Sequence, residues 1–135
     1  MISTVTNQGK ERWMIYRETL SSAVFIRFLE RLSKDAARRV FLIVDSLKGH
    51  HSAPVKAWLP EPTAQIEVFY LASYSQERNP DEYLNGDLKT AVTSTTPVHN
   101  LDQRENKVIR PMRKLQRSPK HVASYFRNQY VQYAA

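Results

Sequence analysis

Apolar and polar positions follow two different periods in the first third of the chain, which predicts a mixture of strands and helices. Two short strand-like runs, MISTVTN and ERWMIYR, flank a turn-like QGK and predict a hairpin. The segment TLSSAVFIRFLERLSKDAARR then repeats its apolar positions with the period of a helix, which predicts an amphipathic helix. The apolar face of this helix comprises Leu20, Val24, Phe28, Leu29 and Leu32.

The middle of the chain alternates strand-like and helix-like patterns. Residues 40–44, VFLIV, form a continuous apolar run typical of a strand buried on both faces in a parallel sheet. SAPVKAWL predicts a short helix with Ser52 as N-cap and Pro54 in its first turn. QIEVFYLASY predicts a further strand, and NPDEYLNGDLKTAV predicts a helix that Asn79 caps and Pro80 opens. This order of elements predicts an α/β fold.

The remainder of the chain, from about Thr93, is polar and basic. It predicts one long helix over LDQRENKVIRPMRKLQR and a shorter one near KHVASYF. Pro111 lies inside the long helical pattern, so we expect it to kink or split that helix. The pattern divides the chain into an α/β part at 1–95 and a basic helical tail at 96–135.

Composition narrows the class of protein. The chain has 135 residues, a net charge of +7, 41% hydrophobic residues and no cysteine. This length suits one domain, and the missing cysteine excludes disulfides and thiolate chemistry. The positive charge favours a polyanionic partner, nucleic acid ahead of an anionic membrane; the alternative is a basic protein without such a partner. We find no signal peptide and no membrane-spanning run, and expect a cytoplasmic, nucleoid-associated protein.

Two carboxylates are the candidate chemical groups. Asp45 directly follows the apolar run, and functional groups in α/β sheets collect beyond the carboxyl ends of strands. Glu82 lies in the first turn of a later predicted helix, and the 36 residues from 46 to 81 separate the two. That interval fits one crossover back to the same sheet edge. The two acids could then share Mg²⁺, which prefers oxygen ligands and assists phosphodiester chemistry.

Structural roles for the same residues stay open. Asn79 and Glu82 have the spacing of a capping box, and Asp45 could cap the turn that follows it. His50 and His51 have no cysteine or spaced histidine nearby, which favours surface positions over metal ligation. A nucleotide-binding α/β enzyme is a further alternative. It requires a glycine-rich phosphate loop, whereas the three glycines here are widely scattered.

The segments VFLIVDSLKGHHSAPVKAWL and IEVFYLASYSQERNPDEYLNGDLKTAV resemble the catalytic domain of DDE transposases, in particular those of bacterial insertion sequences related to mariner elements. Residues 40–59 and 66–89 carry the resemblance. It implies an RNase H-like, retroviral integrase-type fold, with Asp45 as the second acid and Glu82 as the third acid of a metal-binding triad. The implied activity is cleavage and joining of transposon-end DNA with Mg²⁺ or Mn²⁺.

The chain also departs from this family pattern. Ser46 stands where the family usually has Asn, and Ala72 and Gln76 stand where it usually has proline. The family's first catalytic Asp belongs to a strand before the segment matching MISTVTN and has no counterpart here. We therefore expect an N-terminally truncated domain that binds metal weakly and is inactive alone. We also expect self-association or pairing with full-length transposase. The alternative is a non-catalytic DNA-binding or transposase-interacting remnant.

The predicted long helix of the tail has two contrasting faces. Its basic face comprises Lys107, Arg110, Lys114 and Arg117. Its apolar face comprises Val108, Met112 and Leu115. One interpretation is an apolar face docked on the protein and a basic face along DNA phosphates. The other is a basic face that is merely solvated.

Overall fold

The computed structural model describes residues 1–45, 52–59, 65–94 and 96–135. These residues form both strands and α-helices, with strands and helices alternating between β2 and α3, which confirms the predicted α/β class. The strands are β1 (Ile2–Val5), β2 (Glu11–Met14), β3 (Val40–Val44) and β4 (Ile66–Tyr70). The helices are α1 (Ser22–Ala36), α2 (Ala53–Trp58), α3 (Asp81–Thr93), α4 (Leu101–Gln116) and α5 (Pro119–Ser124). The described chain divides into two compact units, one of residues 1–2 and 16–79 and one of residues 3–15 and 80–135.

The first unit is built on the parallel pair of β3 and β4. Their register places Val40 opposite Ile66 and Val44 opposite Tyr70. One face of the pair packs against α1 and α2, and the side chains between them form a continuous apolar core. The buried members of this core are Phe25, Leu29, Leu32, Leu42, Val44, Val55 and Ile66. Burial of this apolar surface is the main force that holds the unit together.

Helix α1 forms where its apolar period predicts, but it begins later than the period suggests. Ser21 takes the N-cap position, and its hydroxyl accepts a hydrogen bond from the Val24 amide at 3.4 Å. Leu20 therefore precedes the helix and is 40% exposed, so its predicted place on the buried face is wrong. Phe25 takes a buried place on that face instead. A side-chain cap outweighed the apolar period at this boundary.

Strand β3 was predicted to be buried on both faces, and the structure contradicts this. Leu42 and Val44 are buried, whereas Phe41, which points to the opposite face, is 64% exposed. The Phe41 ring lies 6.2 Å from the ring of Phe69 on β4. Because successive side chains alternate between the faces of a strand, the core covers only one face of this pair.

Helix α2 has the predicted N-terminus. Ser52 is its N-cap residue and Pro54 lies in its first turn, where a missing amide hydrogen has no cost. The Ser52 hydroxyl does not cap the helix, because it accepts a hydrogen bond from the Ser22 hydroxyl at 2.7 Å. The short helix is thereby connected to the start of α1.

The second unit joins the β1–β2 hairpin to α3, α4 and α5. The hairpin closes through backbone bonds of Thr6 with Gly9 and Lys10, at 2.9 and 2.8 Å, which confirms the predicted turn. Its apolar core comprises Met14, Leu84, Met112, Val122, Tyr125, Phe126 and Val131. Both helices predicted for the tail are present, and α4 continues through Pro111 without a break. The helix is therefore not split at Pro111, and a kink there stays a prediction.

No helix within the described ranges is both long enough and apolar enough to cross a membrane.

Candidate functional site

Asp45 lies immediately after the last residue of β3, in the first unit, as the sequence predicts. It is partly buried. The strand end before it is fixed, because the Val44 carbonyl accepts a hydrogen bond from the Leu71 amide at 2.8 Å. The core beneath Leu42 and Val44 holds the strand itself. Asp45 is thus a carboxylate on a rigid support at the carboxyl edge of a parallel strand pair.

Glu82 lies in the second unit, in the first turn of α3, with its side chain exposed. Leu84, two residues on, is fully buried and anchors this end of the helix. The predicted start is early by one residue, because Pro80 takes the N-cap position and α3 begins at Asp81. The capping box of Asn79 and Glu82 stays a prediction. Glu82 is presented to solvent at a helix N-terminus, where a negative charge is favourable.

Asp81, the residue before Glu82, was not singled out from the sequence. The Ser3 hydroxyl of β1 hydrogen-bonds to both carboxylate oxygens of Asp81, at 2.9 and 3.0 Å. The Asn85 side-chain amide also lies 3.5 Å from Asp81. Ser3 therefore ties the first turn of α3 to the hairpin. The contact spans 78 residues of chain, so no local pattern could have indicated it.

Glu11 on β2 is a buried carboxylate that the sequence pattern also missed. It is 8% exposed, and neither of its carboxylate oxygens has a hydrogen-bond partner within the described part of the chain. Burial, reinforced by the negative charge of Asp81, raises the pKa of Glu11 to about 7. The one sequence feature that could have indicated a buried carboxylate is the acid in ERWMIYR. An acid within an apolar strand pattern does not by itself indicate burial.

Asp87 on α3 links this helix to the C-terminal region. It accepts hydrogen bonds from the Tyr125 hydroxyl at 2.6 Å and from His121 Nε2 at 2.7 Å. Burial acts to raise the pKa of Asp87, but these two hydrogen bonds outweigh it and leave the pKa below its usual value. Burial and the bond to Asp87 raise the pKa of Tyr125. The sequence assigned His121 no role, and the structure makes it a bridging residue within the second unit.

The two faces predicted for α4 are present in the second unit. Met112 is fully buried, and Val108 and Leu115 are partly buried, so the apolar face is packed. Three of the four predicted basic residues, Arg110, Lys114 and Arg117, are exposed. The fourth, Lys107, is partly buried, and its ammonium group donates a hydrogen bond to the Thr96 carbonyl.

A complete metal site is not present among the residues that the structure describes. In these ranges no group of three or more histidine or acidic side chains is placed to hold a metal ion. Asp45 lies in the first unit and Glu82 in the second. Ser46, His50 and His51 lie outside the described residues. The described donor set thus does not by itself fit a fully coordinated divalent ion.

A carboxylate at the end of a parallel strand and a second one at the start of a later helix are groups of the kind that metal-assisted nucleases use. The comparison with protein families agrees with this class. Residues 1–104 match the family described as DDE superfamily endonuclease, and the chain belongs to that family. No curated protein and no solved structure shows a significant match to the chain.

Proposed function

We propose that the chain is part of a transposase catalytic domain with an RNase H-like fold, of the kind found in bacterial insertion sequences related to mariner elements. The observation that supports this most is the family match, because residues 1–104 include both Asp45 and Glu82. The resemblance of residues 40–59 and 66–89 to the DDE pattern supports the narrower assignment to transposases of bacterial insertion sequences related to mariner elements. The proposed reaction is cleavage and joining of transposon-end DNA.

In this proposal Asp45 and Glu82 are catalytic carboxylates and ligands of Mg²⁺ or Mn²⁺. Such ions, when bound, polarise the phosphodiester and stabilise the charge that develops on its oxygens. The support comes from the chemistry of the two positions: a rigid strand end carries Asp45, and an exposed helix N-terminus carries Glu82. We infer weak metal binding and an inactive isolated chain, in keeping with the finding that no three candidate ligands lie together among the described residues.

Metal titration of the isolated chain tests these ligand roles. We expect weak Mn²⁺ binding that Asp45→Asn and Glu82→Gln each reduce by more than about tenfold, since each removes a charged oxygen ligand. Glu77→Gln, which neutralises an exposed acid five residues before Glu82, is the matched control and should bind as the parent chain does. Equal affinities in all four proteins would contradict the ligand assignment. Mg²⁺-dependent DNA cleavage by the isolated chain would contradict the proposed inactivity.

A second candidate function is a non-catalytic DNA-binding protein that pairs with intact transposase. The exposed basic residues of α4 favour it, since phosphate contacts position DNA without any catalytic metal. The Glu82→Gln variant separates the two candidates. A catalytic-domain chain loses Mn²⁺ affinity on this change, whereas a binding remnant keeps both its Mn²⁺ affinity and its DNA affinity unchanged.

A further inference from the structure

Tyr74 has the most exposed large hydrophobic side chain among the described residues. It is 98% exposed, compared with 54% for Tyr133 and 49% for Tyr130. Its ring contributes almost nothing to the core of the first unit, because it loses almost no contact with water on folding. Packing therefore does not account for an aromatic side chain at this position.

The backbone of Tyr74 is held in an unusual conformation. Its φ angle is +59°, in the left-handed region that residues with a Cβ atom rarely adopt. The neighbouring Ser75 hydroxyl donates a hydrogen bond to the Ala72 carbonyl and closes a tight turn around it. Such conformations persist where surrounding contacts enforce them, and they are concentrated in ligand-binding segments.

The segment that carries Tyr74 is attached to β3 at its start and has a local hydrogen bond at its end. At its start, the Leu71 amide donates to the Val44 carbonyl at 2.8 Å, beside Asp45 in the chain. At its end, the Arg78 amide donates to the Ser75 carbonyl at 3.0 Å, within a short 3₁₀ turn over Gln76–Arg78. The ring is thus presented to solvent from an ordered turn. A preorganised aromatic side chain loses little conformational freedom when a ligand binds it.

The chemistry of an exposed, preorganised aromatic face suits another flat π-system. A chain of net charge +7 attracts polyanions. Among polyanions, nucleic acids carry a flat aromatic base on every nucleotide. We propose that Tyr74 stacks on an unpaired base of bound DNA and so holds the strand at the turn that follows β4. This inference rests on the proposed DNA-directed function and adds a base-contacting residue to it.

Fluorescence titration of the full chain with a labelled oligonucleotide tests the proposal. The probe is a short duplex with a single-stranded overhang that contains 2-aminopurine, whose emission is quenched by stacking. We expect the parent chain and Tyr74→Phe to quench the probe equally. Tyr74→Ala should lose most of the quenching and bind about fivefold more weakly or worse. Tyr130→Ala, which removes another exposed tyrosine, is the control and should behave as the parent chain does. Circular dichroism and thermal melts confirm that each variant is folded.

The outcomes distinguish a failure of the stacking role of Tyr74 from a failure of the proposed DNA-directed function. Binding and quenching by Tyr74→Ala equal to those of the parent chain would overturn the inference while leaving DNA binding intact. An equal loss in Tyr130→Ala would also overturn it, because the effect would then not be specific to Tyr74. If the parent chain failed to bind the oligonucleotide even at low salt, the proposed function itself would fail, and the stacking role with it.

Discussion

At the scale of single residues, Glu11 shows how burial changes the chemistry of a side chain. Its pKa is raised from 4.5 to about 7, first by burial and then by the charge of Asp81. The native state therefore keeps a proton that the unfolded chain has released. The stability that this proton contributes is fully present below about pH 4.5 and is lost as pH rises through about 7. The negative charge of Asp81 disfavours the ionised form of Glu11. The charge of Glu11 in turn helps to raise the pKa of Tyr125.

We predict that Glu11→Gln removes this pH dependence. The parent chain should lose about 3 kcal/mol of unfolding free energy from this group as pH rises from about 4.5 to about 8. Glutamine resembles the protonated acid, so the variant should match the parent at low pH and exceed it at high pH. Urea denaturation at several pH values measures this. Glu30→Gln, at an exposed position on α1, is the control, and the same gain in that variant would contradict the prediction.

Gly9 and Gly86 form a matched pair for a second prediction at this scale. Gly9 has a φ angle of +83°, and a Cβ atom there would lie 1.9 Å from the Pro119 carbonyl oxygen. Gly86 lies within α3, and a Cβ atom there would meet nothing within 4 Å. We expect Gly9→Ala to destabilise the protein by about 3 kcal/mol, because the backbone at Gly9 or at Pro119 must move to make room for the methyl group. Gly86→Ala should stabilise it by up to about 1 kcal/mol, because alanine favours helix.

Thermal or urea denaturation of the two alanine variants measures both effects. A neutral Gly9→Ala would show that the hairpin turn does not pack against Pro119 as described. A destabilising Gly86→Ala would show that the outer face of α3 is covered.

At the scale of elements, the apolar period located the helices, and local contacts fixed their ends. The repeat of Phe28, Leu29 and Leu32 placed α1 correctly, because burial of one face dominates helix formation in proteins. Its start depended on the Ser21 cap, and the start of α3 depended on Pro80. Both boundaries were predicted one to two residues away from where they lie, since capping groups compete with the apolar pattern there.

Helix α1 also supplies a prediction about its own packing. Leu29 is fully buried in the core of the first unit, whereas Leu20 precedes the helix and is 40% exposed. We expect Leu29→Ala to lower the unfolding free energy by about 2–5 kcal/mol, through lost burial and a cavity. Leu20→Ala should change it by less than about 1 kcal/mol. Chemical denaturation compares the two, and similar losses in both variants would contradict the described start of α1.

At the scale of the whole molecule, the positions of the charged side chains decide how the net charge of +7 affects DNA binding. The exposed cations Arg110 and Lys114 of α4, with Arg117 at its C-cap, lie opposite its packed apolar face. Because the expected DNA contacts are to phosphates, each should release counterions and steepen the salt dependence of binding. Lys107 should contribute less, because its ammonium group already bonds to the Thr96 carbonyl.

We predict that replacing Arg110, Lys114 and Arg117 together by glutamine lowers the slope of log affinity against log salt by about 3. The control replaces three exposed cations of the first unit by glutamine, Arg31, Lys34 and Arg38, with the same change in net charge. Fluorescence anisotropy over a range of salt concentrations gives both slopes. If the control lowered the slope equally, general charge rather than the α4 face would account for binding.

The sequence by itself determined the α/β class, most of the helices and strands, and the positions of Asp45 and Glu82 on their elements. These follow from local periodicity and from residues next to each other in the chain. It also carried the DDE resemblance, which the family match over residues 1–104 supports. The division at residues 95 and 96 and the catalytic roles of the two acids stay predictions.

Only the tertiary structure decided which face of β3 is covered, how Ser3 reaches Asp81, and why Glu11 holds its proton. The Ser3–Asp81 contact joins residues 78 positions apart, and the pKa of Glu11 depends on burial by the fold. The exposed, left-handed Tyr74 is likewise a property of the folded turn. Such features depend on the contacts and the solvent exposure that folding creates. Neither the contacts nor the exposure can be predicted from residues that are neighbours in the sequence.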